Sequence, residues 1–290
     1  MTRTLPGRLL SLIAALALAA CSPSGGLKLP GKPLGFDKSK LEAGVDDRFG
    51  GVGTCVIIAD TKSGAEVYRY NSNGVCMRRL PPCATYEIAN DLIGLDAGAV
   101  GPNSVLRWDK TPQPVSSWQQ DSDLRTAFKE SMAWWDAKVA ASVGAQALKA
   151  RLKAFGYGDK ALAGPLNSFW QGPAQGGALA ISTREQASFL HRLYAGKLPV
   201  QPANLDFMKS VMVDEIRSGS TMSGKSGSCP SVADGSRQVA WWVGRLETPT
   251  HDWVFAASME GGNENALPGI EIQERVKSVF ADAGLWPAGA

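Results

Sequence analysis

The order in which apolar segments follow one another constrains the fold of this chain more than any other feature. Between a first and a last helical segment, the apolar residues recur with a spacing of two, then with helical spacing, and then with a spacing of two again. The predicted elements, in chain order, are a helix at residues 36–49, strands at 53–60 and 65–70, helices at 84–97, within 121–156 and at 182–194, strands at 220–229, 238–246 and 253–260, and a helix at 270–285. This order predicts an α/β fold, specifically an α+β sandwich. Its antiparallel sheet is assembled from both ends of the chain, flanked by helices and accompanied by an all-helical subdomain.

Length and composition narrow the class of protein. The chain has 290 residues with 44% hydrophobic content, which suits one large domain or two small ones with a sizeable core. The net charge of +3 creates no strong field for nucleic acid, and no basic arm is present. We therefore expect no nucleic-acid partner.

The first residues have the pattern of a targeting segment. A basic start is followed by an apolar run at residues 9–20, too short to span a membrane, that ends in Leu18-Ala19-Ala20-Cys21. This ending resembles a bacterial lipoprotein box, so we expect cleavage after residue 20 and lipidation of Cys21. Residues 21–35 then form a flexible tether, and residues 36–290 form the folded domain. An ordinary secretory signal with a chance cysteine is the alternative.

A compartment outside the cytosol permits disulfides. Four cysteines remain after Cys21, namely Cys55, Cys76, Cys83 and Cys229, and they allow three connectivities. Cys55 and Cys76 flank the predicted hairpin, which favours their pairing. Free buried thiols are the alternative.

The run from Leu80 to Gly98 has the pattern of a loop that enters a helix, and it contains Ala84-Thr-Tyr-Glu87. It resembles the nucleophile helix of class D β-lactamases and their penicillin-sensing relatives. In that family the tetrad is Ser-x-x-Lys, in which the serine attacks a carbonyl and the lysine takes its proton. Here Ala84 stands at the nucleophile position and Glu87 at the lysine position.

Further motifs of the same family follow in the same order, so the resemblance covers residues 53–287 and implies a β-lactamase/transpeptidase-like fold. Ser131 matches the serine that relays a proton, and Lys225-Ser-Gly resembles the Lys-Thr-Gly strand at the edge of the active site. The resemblance implies substrate-binding roles for five residues: Tyr157, Trp170, Ser226, Gly227 and Ser228. It also implies a Cys83–Cys229 disulfide, because the family fold brings those segments together.

Several positions depart from the family pattern. Ala133 replaces a valine, Gln171 replaces a leucine, and Ile272 stands near the family's carboxylate-binding arginine, with Arg275 the nearest candidate. We expect Lys225 and Glu87 to form an ion pair across the pocket. With no carbamate to bind, we expect the Trp170 indole to donate to Glu87 or to water.

Other conspicuous residues have structural interpretations. His191 and His251 are isolated from cysteine and acidic clusters, so we expect no metal site and no cofactor. Four tryptophans, Trp134, Trp135, Trp241 and Trp242, are expected in the core. Thr85 should point away from the cleft, and Cys83 should be bridged, so neither is a good substitute nucleophile.

These observations lead to one hypothesis with two alternatives. The first is a lipoprotein on the periplasmic side of the cell envelope, in the outer rather than the inner membrane. It cannot form an acyl-serine, and it binds a β-lactam, a peptidoglycan-type peptide or a partner protein non-covalently. The first alternative is an active β-lactamase or penicillin-binding peptidase with displaced chemistry. The second is a purely structural envelope lipoprotein.

Overall fold

The structure is a computed structural model that describes residues 35–288. The predicted signal peptide, Cys21 and the tether up to residue 34 lie outside the described residues. The helices are α1 Lys38–Phe49, α2 Glu87–Asp96, α3 Leu124–Glu130, α4 Ala133–Val143, α5 Ala145–Phe155, α6 Thr183–Tyr194, α7 Pro202–Val211 and α8 Gly269–Asp282. The strands are β1 Gly53–Asp60, β2 Glu66–Asn71, β3 Val105–Leu106, β4 Ser122–Asp123, β5 Val213–Arg217, β6 Ser220–Pro230, β7 Arg237–Glu247 and β8 Asp252–Gly262.

The main sheet has six strands in the order β2-β1-β8-β7-β6-β5, and all its neighbours are antiparallel. Within the sheet, β1, near the start of the chain, pairs with β8, near the end. The predicted α+β sandwich, with a sheet assembled from both ends of the chain, is therefore confirmed. β3 and β4 form a separate two-stranded ribbon within the helical region.

Hydrophobic cores cover both faces of the sheet. One core includes Ile57 and Trp241 and packs against the helical subdomain, while the other includes Val56 and Trp242 and packs against α1 and α8. Neighbouring strand residues point to opposite faces, so the adjacent tryptophans belong to different cores. The four tryptophans expected in the core are all buried there.

Two elements between α6 and β6 were not predicted. α7 begins with Pro202 in its first turn, and β5 follows directly after it. β5 is an edge strand whose side chains are exposed or half-buried, so it lacks the apolar alternation that would reveal a strand. By contrast, the predicted helix at residues 182–194 is present as α6, and it begins with a capping box of reciprocal bonds between Ser182 and Glu185.

Both favoured disulfides are confirmed. Cys55–Cys76 links β1 to the segment after the hairpin, and Cys83–Cys229 links the start of the tetrad region to β6 across a sequence separation of 146 residues. The second disulfide therefore fastens the helical subdomain to the sheet beside the tetrad. Across residues 35–288, no helix combines the length and the apolar character needed to cross a membrane.

Candidate active-site cleft

A short 3₁₀ turn, Cys83–Tyr86, leads into α2 and carries the tetrad position Ala84. The Cys83 N–H donates to the Trp170 carbonyl at 3.1 Å, and the disulfide holds the turn against β6. The contact with β6 is between backbones, since a Cβ added to Gly227 would lie 2.8 Å from the Ala84 nitrogen. Glycine is therefore required at position 227 for the strand to approach the turn so closely.

A cleft of about 870 Å³ opens between this turn, the end of α3 and the edge of β6. The predicted site residues that line it are Ala84, Glu87, Ser131, Trp170, Ser226, Gly227 and Ser228. Lys225 lies behind the wall and is 4% exposed. The tertiary structure thus brings together residues that the sequence separates by more than a hundred positions.

Tyr157 is a correction to the prediction, because it does not line the cleft. Its side chain is fully buried and packs edge-to-face on Tyr86 and Phe189, with ring centroids 5.8 and 5.0 Å away. The large aromatic side chain fills the core behind the cleft wall, and it therefore stabilises that wall and cannot contact a ligand.

A buried ion pair occupies the catalytic position. Lys225 Nζ lies 3.2 Å from Glu87 Oε2, and the two side chains are 5% and 3% exposed. The expected pairing of these two residues is therefore confirmed. Oε2 accepts no hydrogen bond within the described residues, so the contact is a charge interaction without hydrogen-bond geometry. The ammonium donates a hydrogen bond to Ser131 Oγ and a longer one, of 3.5 Å, to the Ser226 carbonyl.

The Trp170 indole makes no hydrogen bond to Glu87 in the described part of the chain, although Trp170 lines the cleft. Of the two partners expected for this donor, Glu87 is therefore wrong, and water stays a prediction. Ser131 ends α3 in a left-handed conformation, with φ 54°. Because this backbone region is costly for a residue other than glycine, it is maintained by the surrounding structure, and it aims the hydroxyl at Lys225.

Two further carboxylates lie behind the ion pair. Asp91 accepts from the Trp135 indole at 3.3 Å, and Asp136 accepts from the Asn90 amide at 2.9 Å. Both carboxylates are buried. Sequence reasoning missed this cluster, but a signal existed, because Glu87 and Asp91 are four residues apart and share one face of α2.

Burial raises the pKa of all three carboxyl groups. For Glu87 the burial effect exceeds the opposing effect of the Lys225 ammonium, so the pKa lies well above its ordinary value and the ion pair exists only while Glu87 is ionised. Burial likewise raises the pKa of Asp91, and the charges of Asp136 and Glu87 add to the effect. For Asp136, burial raises the pKa to about 7 despite the hydrogen bond from Asn90 and the charge of Lys225.

Two of the departures from the family pattern lie on the walls of the cleft, and the two residues near the expected arginine position do not. Ala133 and Gln171 both line it, as the resemblance implies. Arg275 does not, because it donates to the Arg48 carbonyl at 2.7 Å on another face of the protein. Ile272 is buried in the core beneath α8. Two α8 side chains, Ile270 and Gln273, line the cleft instead, and sequence reasoning missed both.

The excluded nucleophiles and the histidines have structural roles. Thr85 is fully buried, donates to the Pro82 carbonyl at 2.6 Å and accepts from Gln186 at 2.7 Å, so it does point away from the cleft. His191 is hydrogen-bonded to the Thr61 carbonyl, and His251 stacks on Trp253. Among residues 35–288, no cluster of histidine, cysteine and acidic side chains could hold a metal ion.

The ion pair predicts an asymmetric response to mutation. Lys225→Met leaves the Glu87 carboxyl buried without its cation, and the free energy of unfolding at pH 8 should fall by about 3–5 kcal/mol. Replacing both residues, Glu87→Leu with Lys225→Met, should cost less than the single change. Urea unfolding measures both, with the exposed Lys149→Met as the control. A single-variant loss below about 1 kcal/mol would contradict the stabilising role of the pair.

The raised pKa of Asp136 predicts a loss of stability as pH rises. The folded state keeps a proton on Asp136 that the unfolded state, with an ordinary pKa of 3.8, has already released. The free energy of unfolding should therefore fall as pH rises from about 4 to 7. Asp136→Asn should remove this pH-dependent decrease. Between pH 5 and 8 the unmutated protein should lose about 1–3 kcal/mol more than the variant in urea unfolding. The exposed Asp206→Asn should behave like the unmutated protein, and equal slopes for all three would contradict the prediction.

Comparison with known proteins agrees with this geometry. The model of the penicillin binding protein transpeptidase domain matches residues 53–279. β-Lactamase OXA-5 of Pseudomonas aeruginosa is 34% identical over 188 residues, which cover 64% of this chain and 69% of that protein. Regulatory protein BlaR1 of Bacillus licheniformis is 28% identical over 243 residues, which cover 83% of this chain and 38% of BlaR1.

Solved structures give the same result. BPu1 β-lactamase superimposes with a TM-score of 0.74 at 27% identity, covering 84% of this chain and 98% of that one. The C-terminal domain of the Bacillus licheniformis BlaR penicillin receptor has a TM-score of 0.74 at 25% identity, covering 87% and 96%. The chain therefore belongs to the penicillin-binding protein transpeptidase family, and it has the fold of the class D β-lactamases and penicillin-receptor domains within it.

Proposed function

We propose that this protein is a lipid-anchored member of its family that does not form an acyl-serine and binds an extended, peptidoglycan-type peptide non-covalently in its cleft. The observation that carries the proposal is the Glu87–Lys225 ion pair beside Ala84, in a cleft whose open strand edge is intact. Acylation needs a nucleophile that Ala84 does not supply, whereas an open strand edge, which β6 does supply, supports the binding of a peptide.

Acylation needs a nucleophile and a base that act as a unit. Ala84 carries a methyl group where the family has a hydroxyl, so Glu87 has no proton to take from that position. Loss of the nucleophile alone removes nearly all covalent catalysis, because the members of such a unit are strongly non-additive. The ion pair also commits the Lys225 ammonium to Glu87 and Ser131.

Peptide binding is supported by an open edge on β6. The Gly224 N–H donates away from β7 to the Met212 carbonyl at 2.8 Å, and the pairing of β5 reaches no further than Ser223. Backbone groups two residues apart on a strand point the same way, so Ser226 and Ser228 present their N–H and C=O groups to the cleft. An extended peptide can add to this edge as a further strand.

The rim of the cleft offers positions for apolar side chains. Pro114, Val115 and Trp118 line one side, and Ile270 lines the opposite side. Val115 and Ile270 are 41% and 61% exposed, so a ligand in the cleft could bury apolar surface on both. A bound peptide would cover both while its backbone pairs with β6.

Membrane attachment is the remaining part of the proposal, and it is supported by the sequence alone. The apolar run ends in Ala20-Cys21, and the Gly- and Ser-containing tether would hold the domain away from the membrane on the periplasmic side, with the outer membrane favoured over the inner one. Cys21→Ala should move the protein from the membrane fraction to the soluble envelope fraction, as judged by immunoblotting. A protein that stays in the membrane fraction after this change would contradict a lipid anchor on Cys21.

The strand-addition mode predicts that a single backbone donor matters. Ser228→Pro removes the N–H that faces the cleft, so affinity for a soluble peptidoglycan stem pentapeptide should fall at least about tenfold. Ser228→Ala keeps the donor and should bind like the unmutated protein. Isothermal calorimetry measures affinity, and a melting curve checks that the proline variant is folded. Equal binding by both variants would exclude strand addition, and no binding by the unmutated protein would exclude this ligand class.

The loss of acylation predicts a restoration. Ala84→Ser with Glu87→Lys supplies a hydroxyl and an amine whose pKa the buried site and Lys225 would lower, so a fluorescent penicillin should label the double variant covalently. Each single change should give little or no labelled band, since each lacks half of the unit. Labelling of the unmutated protein on a denaturing gel, or turnover of a chromogenic cephalosporin, would overturn the proposed loss of acylation and favour displaced chemistry.

A further inference from the structure

The two disulfides of this protein differ in their access to solvent. Cys55 and Cys76 are both fully buried in the core that packs against the helical subdomain. The Cys83–Cys229 disulfide, in contrast, lies in the wall of the cleft, and both of its residues line that space. A reagent that enters the cleft can therefore approach this disulfide in the folded protein, whereas Cys55–Cys76 becomes accessible only through an opening of the core.

The two sulfurs of the cleft disulfide are not equivalent. Cys83 is 1% exposed, whereas Cys229, near the end of β6, is half-buried and directly follows the exposed Ser228. Thiol–disulfide exchange begins with the attack of a thiolate on one sulfur, and its rate depends on access to that sulfur. Cys229 Sγ is therefore the atom that an incoming thiolate would attack, and Cys83 Sγ is the leaving group.

The surroundings of Cys83 can accommodate a free thiol. The Pro81 carbonyl lies 3.5 Å from Cys83 Sγ, so it can accept a hydrogen bond from the S–H group that reduction creates. The same carbonyl accepts from the Trp241 indole at 2.8 Å, which keeps it beside the sulfur. The released Cys83 would therefore be a neutral group with a hydrogen-bond partner, although it is buried.

The backbone at Cys83 favours opening of this disulfide. Cys83 has a left-handed conformation, with φ 50°, which is costly for a residue other than glycine and persists only where the surrounding structure imposes it. The disulfide to β6 is one such constraint, and the hydrogen bond from the Cys83 N–H to the Trp170 carbonyl is another. Reduction would remove the first constraint, so the turn that carries Ala84 would gain freedom to move away from Gly227.

We propose that the Cys83–Cys229 disulfide is a thiol-exchange site, which a dithiol reductant opens from the cleft. One thiolate of the reductant bonds to Cys229 Sγ, the Cys83–Cys229 bond breaks, and Cys83 Sγ leaves with the electron pair and takes up a proton. The second thiolate of the reductant then attacks the reductant's own sulfur in the mixed disulfide and releases Cys229, which also takes up a proton. The two cysteines gain two electrons and two protons, and the reductant becomes a disulfide.

This exchange couples the oxidation state of the two cysteines to the walls of the cleft. Cys83 directly precedes Ala84, and Cys229 directly follows Ser228, so the disulfide joins the turn to the edge of β6. In the oxidised protein these two walls are held together before any ligand arrives. In the reduced protein a ligand would have to order them, at a cost in conformational entropy. The oxidised protein is therefore the form that is prepared for binding, whatever ligand the cleft takes.

The first test measures how fast each disulfide opens in the folded protein. The unmutated protein is exposed to dithiothreitol at mildly alkaline pH, samples are quenched with acid, and free thiols are alkylated after unfolding. The four bridged cysteines fall in different tryptic peptides, so mass spectrometry follows each one separately. Cys83 and Cys229 should become free together, at least about tenfold faster than Cys55 and Cys76, which are the internal control. Equal rates, or opening of the cleft disulfide only at the rate of global unfolding, would overturn the proposal.

Hydrogen exchange then tests the coupling to the cleft. After selective reduction, the amides of residues 84–86 should exchange at least about threefold faster than in the oxidised protein, and those of β1 should keep their protection. Unchanged exchange at residues 84–86 would overturn the coupling. Loss of protection in β1 as well would mean that reduction unfolds the protein, and it would overturn the proposal. Neither measurement uses a ligand, so a failure of the cleft to bind peptides would refute the proposed function and leave the exchange site standing.

Discussion

The buried ion pair between Glu87 and Lys225 is the interaction on which the rest of the site depends. It joins α2 of the helical subdomain to β6 of the sheet, at the point where a member of this family would carry out acyl transfer. Removing two charges from water is costly, and a contact without hydrogen-bond geometry returns only part of that cost. Each buried charge therefore offsets part of the desolvation cost of the other, and either residue without its partner would destabilise the folded state.

The scaffold around this pair does not need catalytic chemistry to maintain its shape. The Cys83–Cys229 disulfide, the close approach of Gly227 to Ala84 and the left-handed backbone of Ser131 all act through the main chain. None of them depends on a serine at position 84 or a lysine at position 87. The cleft can consequently keep its shape with alanine and glutamate at these two positions, and the open edge of β6 remains available.

Sequence patterns predicted the parts of the molecule where periodicity or an ordered motif gave a local signal. The sheet strands other than β5, the helix α6 and the position of the tetrad belong to this group. Tyr157 was predicted incorrectly, and the candidate Arg275 does not reach the cleft, because motif spacing places a residue on an element but does not determine which way its side chain faces. A shift of one residue on α8 separates the buried Ile272 from Gln273, which lines the cleft.

The sequence by itself determined that the chain has a strand pair, a helical block and a strand trio, and that the tetrad lacks its nucleophile and its lysine. These facts depend on residue identity and local spacing. Only the tertiary structure decided that Asp91 and Asp136 lie behind the ion pair and that Arg125 and Lys129 face a pocket beside the cleft. Such proximities depend on how α2, α3 and α4 pack against one another and against β6, and packing brings together groups that local sequence does not relate.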